Sequence, residues 1–342
     1  MGASGPELPW SVLGVVFVGA VAITVALIVA LEPLLVRYAL ARPNARSSHT
    51  VPTPQGGGIA IVAAVLVCVW TGVMLSPSAF GPAGPLLGLS AAVVALAIVG
   101  AIDDIRNLGA ATRLVIQALA VGAVIATLPA DFSILPLPKA AERALLLLGG
   151  VWFVNIVNFM DGIDWITVAE VVPVTAGVVV LSLVGATPAA GLLVALALLG
   201  AMVGFAPFNK PVARLFLGDV GSLPIGLMLG WVLLLLAGRG QVTAALLLPL
   251  YYLADATITL GRRLARREAV WQAHRTHFYQ RATDGGFSVT EIVARVFTLN
   301  VALGVLALVS AIEPDITVDI AVLAIGGALV AWLLITFHRG KR

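Results

Sequence analysis

Apolar residues fill this chain in blocks of about 17 to 25, each closed by a short polar or Pro- and Gly-containing break. A helix rises about 1.5 Å per residue, so such a block matches the roughly 30 Å hydrocarbon core of a bilayer. The blocks fall near 11–36, 58–76, 84–102, 113–130, 142–157, 165–184, 188–206, 221–237, 242–261, 290–312 and 316–337. Helix-ending residues mark the breaks at Ser76-Pro77, Leu135-Pro136-Leu137-Pro138, Gly185-Ala186-Thr187-Pro188 and Glu313-Pro314. The runs 165–206 and 242–261 divide least sharply. The pattern predicts an all-α polytopic membrane protein of about eleven transmembrane helices. No polar stretch is long enough for a separate soluble unit, so residues 1–342 read as one transmembrane domain.

With 60% hydrophobic and 11% charged residues, against roughly 25% charged in a soluble domain, an ordinary soluble fold is excluded. The net charge of +3 would suit nucleic acid, but in a membrane protein the placement of Lys and Arg carries more than their sum. Of the 20 Lys and Arg residues, only Lys139, Arg143 and Arg239 fall in one set of alternate connections, with Arg295 near a span end. The rest fall in the other set. The positive-inside rule then puts the N-terminus outside and the C-terminus inside, and no nucleic-acid partner is expected. The first apolar run, Trp10 to Leu31, is too long and too poor in basic flanks for a cleaved signal peptide and reads as the first span. Cys68, the single cysteine, lies in an apolar run and reads as packing.

The same inside connections gather nearly every unusual polar cluster: Ala41 to Gly58, Asp103 to Arg113, Asn155 to Asp164, Phe208 to Ser222 and Arg262 to Gly286. Five connections can therefore converge on one site at the cytoplasmic surface. Asp103 and Asp104 end the third span as neighbours. Adjacent carboxylates repel unless a cation or proton separates them, which suits Mg²⁺ coordination and general-base work. The plainer reading is an interfacial pair partnered by Arg106 or Arg113. In the stretch Asn155 to Trp165, a helix would place Asn158, Asp161 and Asp164 on one face, fit for a nucleobase and ribose or a metal-bound phosphate. A capping role for one Asp is the plainer alternative.

Before the eighth span, Gly218 and Gly221 would let backbone approach a ligand, Asp219 can bind Mg²⁺, and the following helix N-terminus favours phosphate. An ordinary cap with flanking glycines would look the same. After the ninth span, Arg262, Arg263, Arg266 and Arg267 suit anionic lipid headgroups. The segment His274-Arg275-Thr276-His277-Phe278-Tyr279-Gln280-Arg281 suits a diphosphate and its leaving group. No cysteine or third nearby histidine completes a zinc site there. In the first inside connection, Arg42, Arg46 and His49 precede Gly56-Gly57-Gly58, a rigid-then-permissive path fit for covering a phosphate, or a plain loop. Asp255, inside the ninth span, reads as paired with a nearby basic or hydroxyl group.

In this order, the segments resemble the polyprenyl-phosphate N-acetylhexosamine-1-phosphate transferases, the membrane family that includes phospho-MurNAc-pentapeptide translocase. The likeness runs from about Arg37 to Arg281 through five separate motifs. The Pro-Asn-Ala-Arg-Ser-Ser-His and His-Arg-Thr-His-Phe-Tyr-Gln-Arg loops most resemble the branch that starts O-antigen or related surface glycans.

The resemblance implies transfer of a sugar 1-phosphate from a UDP-N-acetylhexosamine to undecaprenyl phosphate, releasing UMP and starting a cell-surface glycan. It implies Mg²⁺, with Mn²⁺ as a substitute, and a site on the cytoplasmic face of a bacterial inner membrane. Asp103 matches the base towards the lipid phosphate, and Asp104 supports the metal region. Asp219 matches the metal ligand. Asn158, Asp161, Asp164 and Asn209 match the nucleotide side, and His274 and His277 the catalytic histidine loop. Arg46, His49 and Arg275 take the phosphate contacts, Arg46 and His49 in a loop where many members carry Lys. Trp165 stands where Gly is common. Homodimers occur in the family. The residues are equally compatible with direct attack by the lipid phosphate and with an aspartyl-phosphate intermediate. A transporter using intramembrane acids is the rival class, although its acids would sit near the midplane rather than at one face.

Overall fold

The computed structural model describes residues 9–41, 52–106, 108–269 and 275–341. Among these, the chain is almost wholly helical: α1 (Trp10–Tyr38), α2 (Gly57–Leu75), α3 (Ala83–Arg106), α4 (Ala110–Ala126), α5 (Lys139–Met160), α6 (Ile166–Leu183), α7 (Ala189–Phe205), α8 (Asp219–Gly238), α9 (Val242–Leu247), α10 (Leu250–Ala265), α11 (Phe278–Asp284), α12 (Val289–Ile312) and α13 (Ile316–Arg339). Eight of them are long and apolar enough to cross a membrane, and α4 and α7 are shorter apolar helices. Every predicted span has a helical counterpart. The run at 165–206 divides into α6 and α7 around Pro188, as its punctuation implies. The ninth is corrected: it breaks into α9 and α10 at Pro249, which lacks the N–H needed to carry the ladder through.

Helix α8 is the axis of the bundle. It packs on α3, α5, α2, α7 and α9, while α1 lies against α7 and α2, and α12 covers α6. Two approaches depend on glycine. A Cβ on Gly58 would lie 2.1 Å from Gly221 Cα, and one on Gly100 would lie 2.3 Å from the Asp219 carbonyl oxygen. The N-terminus of α8 is therefore clasped between α2 and α3 at backbone contact, which removes conformational freedom from the residues just before it. A two-residue ladder adds to the clasp: β1 (Leu40–Ala41) pairs antiparallel with β2 (Thr53–Pro54). The N–H groups of Gly56 and Gly57 donate to the Phe216 carbonyl, and Gly58 donates to Leu217.

The Gly56-Gly57-Gly58 N–H groups are engaged by the segment before α8, and Gly221 packs against the Gly58 backbone. Cys68 is buried in the core, as a packing residue should be.

Candidate active site

Alternating helix directions bring the start of α2, the end of α3, the starts of α4 and α8 and the end of α5 to one end of the bundle. Asp103 is 6% exposed and accepts from the Leu108 N–H at 2.5 Å and from Arg113 Nη1 at 2.7 Å. The same guanidinium nitrogen lies 3.8 Å from Asp219 Oδ2, so the two carboxylates are neighbours. The interfacial pairing with Arg113 is thus present, and it extends to a second acid. Asn158 Nδ2 donates to Asp219 Oδ1 at 2.8 Å and to Ser222 Oγ at 2.9 Å, tying the end of α5 to the start of α8.

Asp104 has a different position. Its Oδ1 accepts from the Asp219 N–H at 3.0 Å and its Oδ2 from the Val220 N–H at 3.2 Å. A carboxylate from α3 therefore caps α8, satisfying orphan donors and meeting the positive end of the helix. The phosphate expected at that N-terminus would find this place already filled. Gly218, at φ +76°, is needed because a Cβ there would fall 2.6 Å from Asp104 Oδ2. Gln55 Nε2 closes the group by donating to the Asp104 carbonyl at 3.0 Å.

The nucleotide strip is corrected in its local form. Helix α5 ends at Met160, so only Asn158 lies on it; Asp161 is the C-cap residue and Asp164 sits in the turn before α6. Asp161 stays with the acid cluster and accepts from Thr167 Oγ1. Asp164 is 6% exposed and accepts from the Ala213 N–H at 2.9 Å. Asn209 accepts from the Trp165 N–H at 2.8 Å and donates to the Leu215 carbonyl at 2.9 Å. Both residues brace the loops behind the acids. Trp165 adopts φ +62°, and its indole N–H donates to the Ala206 carbonyl. A left-handed position explains why glycine suits this place.

His277, 2% exposed, opens α11, with Nδ1 3.1 Å from Asp255 Oδ1. Its ring faces α10 rather than open space, so any part it plays is exerted from within the fold. Arg275 donates to Thr283 Oγ1 and lies 3.6 Å from Asp284, and its Nε is buried with no partner among the described residues. Helix α11 reaches the acids through Tyr279, whose hydroxyl donates to the Phe159 carbonyl, and whose oxygen would lie 2.1 Å from a Cβ on Gly162. Arg262 lies over Phe278, while Arg263 pairs with Glu268. Arg42, Arg46, His49 and His274 lie outside the described residues.

Four carboxylates, Asp103, Asp104, Asp161 and Asp219, thus share one end of the bundle. Arg113 is the only cation paired with any of them among the described residues. Burial pushes the Asp161 carboxyl up to about 7, and the nearby charges of Asp104 and Asp164 add to the rise against the Thr167 hydrogen bond. A carboxyl raised that far is half protonated near neutral pH unless a positive charge stands beside it. Among the described residues no group of three or more acids, histidines or cysteines could hold a metal ion by itself. An open, oxygen-only set fits Mg²⁺, which takes one or two carboxylates and completes its shell with water and phosphate, and does not fit zinc.

Sequence-level reading named Arg113 as a partner of the acid pair but did not extend it to Asp219, and it did not find Gln55, Thr167 and Tyr279 as supports of the group.

Comparison with known proteins gives the site its context. Residues 86–237 match the family model of glycosyl transferase family 4. The chain is 29% identical to the decaprenyl-phosphate N-acetylglucosaminephosphotransferase of Mycobacterium leprae, over 76% of this chain and 73% of that protein. It is 23% identical to the probable undecaprenyl-phosphate N-acetylglucosaminyl 1-phosphate transferase of Bacillus subtilis, over 79% and 77%. It is 30% identical to the phospho-N-acetylmuramoyl-pentapeptide-transferase of Limosilactobacillus fermentum, over 66% and 75%. With an acid cluster at one end of a polytopic bundle and relatives that match along most of their length, the chain belongs to glycosyl transferase family 4, the membrane family of polyprenyl-phosphate sugar-phosphate transferases.

Proposed function

We propose that this protein transfers N-acetylhexosamine 1-phosphate from a UDP-sugar to undecaprenyl phosphate, releasing UMP and leaving a polyprenyl diphosphate sugar that starts a surface glycan. The observation that carries the reading is the acid cluster itself: Asp103, Asp104, Asp161 and Asp219 from three connections, with one guanidinium among them. Mg²⁺ would be held by Asp219 with Asp104, and when bound it supplies neutralising charge to the diphosphate oxygens and the leaving UMP. Asn158 holds the Asp219 carboxylate in place, and Arg113 sets the rotamer of Asp103, the acid assigned to the lipid phosphate. The site is assigned to the cytoplasmic face because the basic connections lie at the same end.

The acceptor explains the bilayer setting. An apolar cavity of about 270 Å³ lies between α4, α5, α8, α9 and α10, walled by Val121, Phe153, Val154, Gly226, Trp231 and Leu253. Val154 is one helical turn from Asn158, so a hydrocarbon tail in this cavity would lead its phosphate towards the acids. Glycines at 226 and 230 open the wall on α8.

The test is UMP release by purified protein in lipid nanodiscs given undecaprenyl phosphate, Mg²⁺ and each of a panel of UDP-N-acetylhexosamines. Release should require acceptor, donor and cation together, and Asp219→Asn should lower it by about 100-fold. No UMP from any donor, or an Asp219→Asn variant as active as the parent, would overturn the proposal.

A further inference from the structure

Asp255 is a fully buried acid in an apolar helix, outside the acid cluster, and five polar groups lie within hydrogen-bonding distance of its carboxylate. Oδ1 lies 3.1 Å from His277 Nδ1, 3.0 Å from the Phe278 N–H and 3.3 Å from Thr259 Oγ1. Oδ2 lies 3.2 Å from the Tyr251 hydroxyl and 3.2 Å from the Tyr279 N–H. Three of the five belong to the first turn of α11. A carboxylate in a span is costly and persists where it has a task, and local hydroxyl pairing alone would not need the three contacts to α11.

We propose that Asp255 is the positioning residue of the histidine segment: from inside α10 it fixes the proton of His277 on Nδ1 and pins the start of α11. With the carboxylate as its acceptor the imidazole proton belongs on Nδ1, which sets that nitrogen against the competing capping contact of the His277 side chain with the Gln280 N–H. The ring nitrogen opposite is then defined as well. The mechanical path to the reaction runs through α11. Tyr279 and Gln280 press on Gly162, where an added Cβ would lie 2.1 Å from the Tyr279 oxygen and 2.9 Å from Gln280 Nε2, and Gly162 adjoins Asp161. Asp255 thus acts at a distance, by setting His277 and the turn that carries Asp161. Asp104 does the same for α8, so both elements that frame the site take their N-terminal cap from a neighbouring helix.

This inference rests on the transferase reading for its kinetic half only. The chain has four histidines, which makes a ¹⁵N-histidine spectrum of the full-length protein in nanodiscs tractable, with His277→Gln giving the assignment. At about pH 8, His277 should show a protonated Nδ1 in the parent. Asp255→Leu, which removes the acceptor at similar volume, should release that proton preference and lower UMP turnover by about 100-fold, mainly in kcat. Asp255→Asn keeps an acceptor towards His277 while turning an amide against the Tyr279 N–H. It should keep Nδ1 protonated and lose only about tenfold in kcat.

An unprotonated Nδ1 in the parent overturns the proposal, and so does an Asp255→Leu protein that keeps the parent's tautomer or turnover. Equal loss in the Asn and Leu variants overturns it too, because the acceptor would then not be what matters. If Asp255→Leu does not fold, the parent and Asp255→Asn spectra still decide. If no UDP-sugar is turned over by the parent, the transferase reading fails while the tautomer measurement stands.

Discussion

Trp165 holds a backbone conformation that side chains avoid. At φ +62° a Cβ crowds the following carbonyl, at a cost of about 1–2 kcal/mol, and the indole offsets it through its bond to Ala206 and its packing at the bundle end. Two substitutions separate the terms. Trp165→Ala and Trp165→Gly lose the same indole, but only alanine keeps the strained Cβ. The glycine variant should therefore be more stable than the alanine variant by about 1 kcal/mol, read from thermal unfolding in one detergent. Equal stability would mean the turn relaxes and stores no strain. Single residues were also where sequence reading was least complete. The acids could be named from their cost in a bilayer, and Arg113 and a local hydroxyl as partners of two of them, but not their backbone partners, because a carboxylate looks the same whether it meets a cation, a backbone N–H or a ring nitrogen. Asp104, Asp164 and Asp255 all turn out to accept from backbone donors. Asp255 carried a clue: Tyr251 and Thr259 lie four residues to either side on the same helix face, the signature of a buried acceptor with its own donors.

At the scale of elements, the clasp of α2 and α3 on α8 is the contact that shapes the site. Gly58→Ala would push a methyl group into Gly221 backbone, which no rotamer change can relieve. The expected cost is about 1–3 kcal/mol, with Asp219 displaced and UMP release falling with it. Gly327→Ala on α13 is the control, since an added Cβ there meets nothing within 4 Å. It should be neutral or stabilise by up to about 1 kcal/mol. If both variants melt alike, the clasp does not hold the start of α8. The spans themselves were legible because length and hydropathy report directly on the bilayer. The break at Pro249 and the end of α5 before Asp161 were not, because both depend on where backbone donors find partners in three dimensions.

For the whole molecule, the convergence of distant loops follows from an up-and-down bundle, in which every second connection lies at the same end. That made the acid cluster foreseeable from charge placement alone, though its members are separated by more than a hundred residues. The same reasoning makes a claim about sidedness that labelling can check. Arg239, at the end of α8, lies opposite the acid cluster, while Arg214, before α8, lies on its side. The parent thiol, Cys68, is buried and can be replaced by alanine with little change in volume. In that background, Arg239→Cys should react with a membrane-impermeant maleimide from outside intact cells, and Arg214→Cys only after permeabilisation. The physical basis is that cationic loops are retained on the cytoplasmic side, and this chain places nearly all its cations at the end bearing the acids. The opposite labelling pattern would put Asp219 on the outer surface, where a cytoplasmic nucleotide sugar could not reach it, and the proposed donor would have to be abandoned.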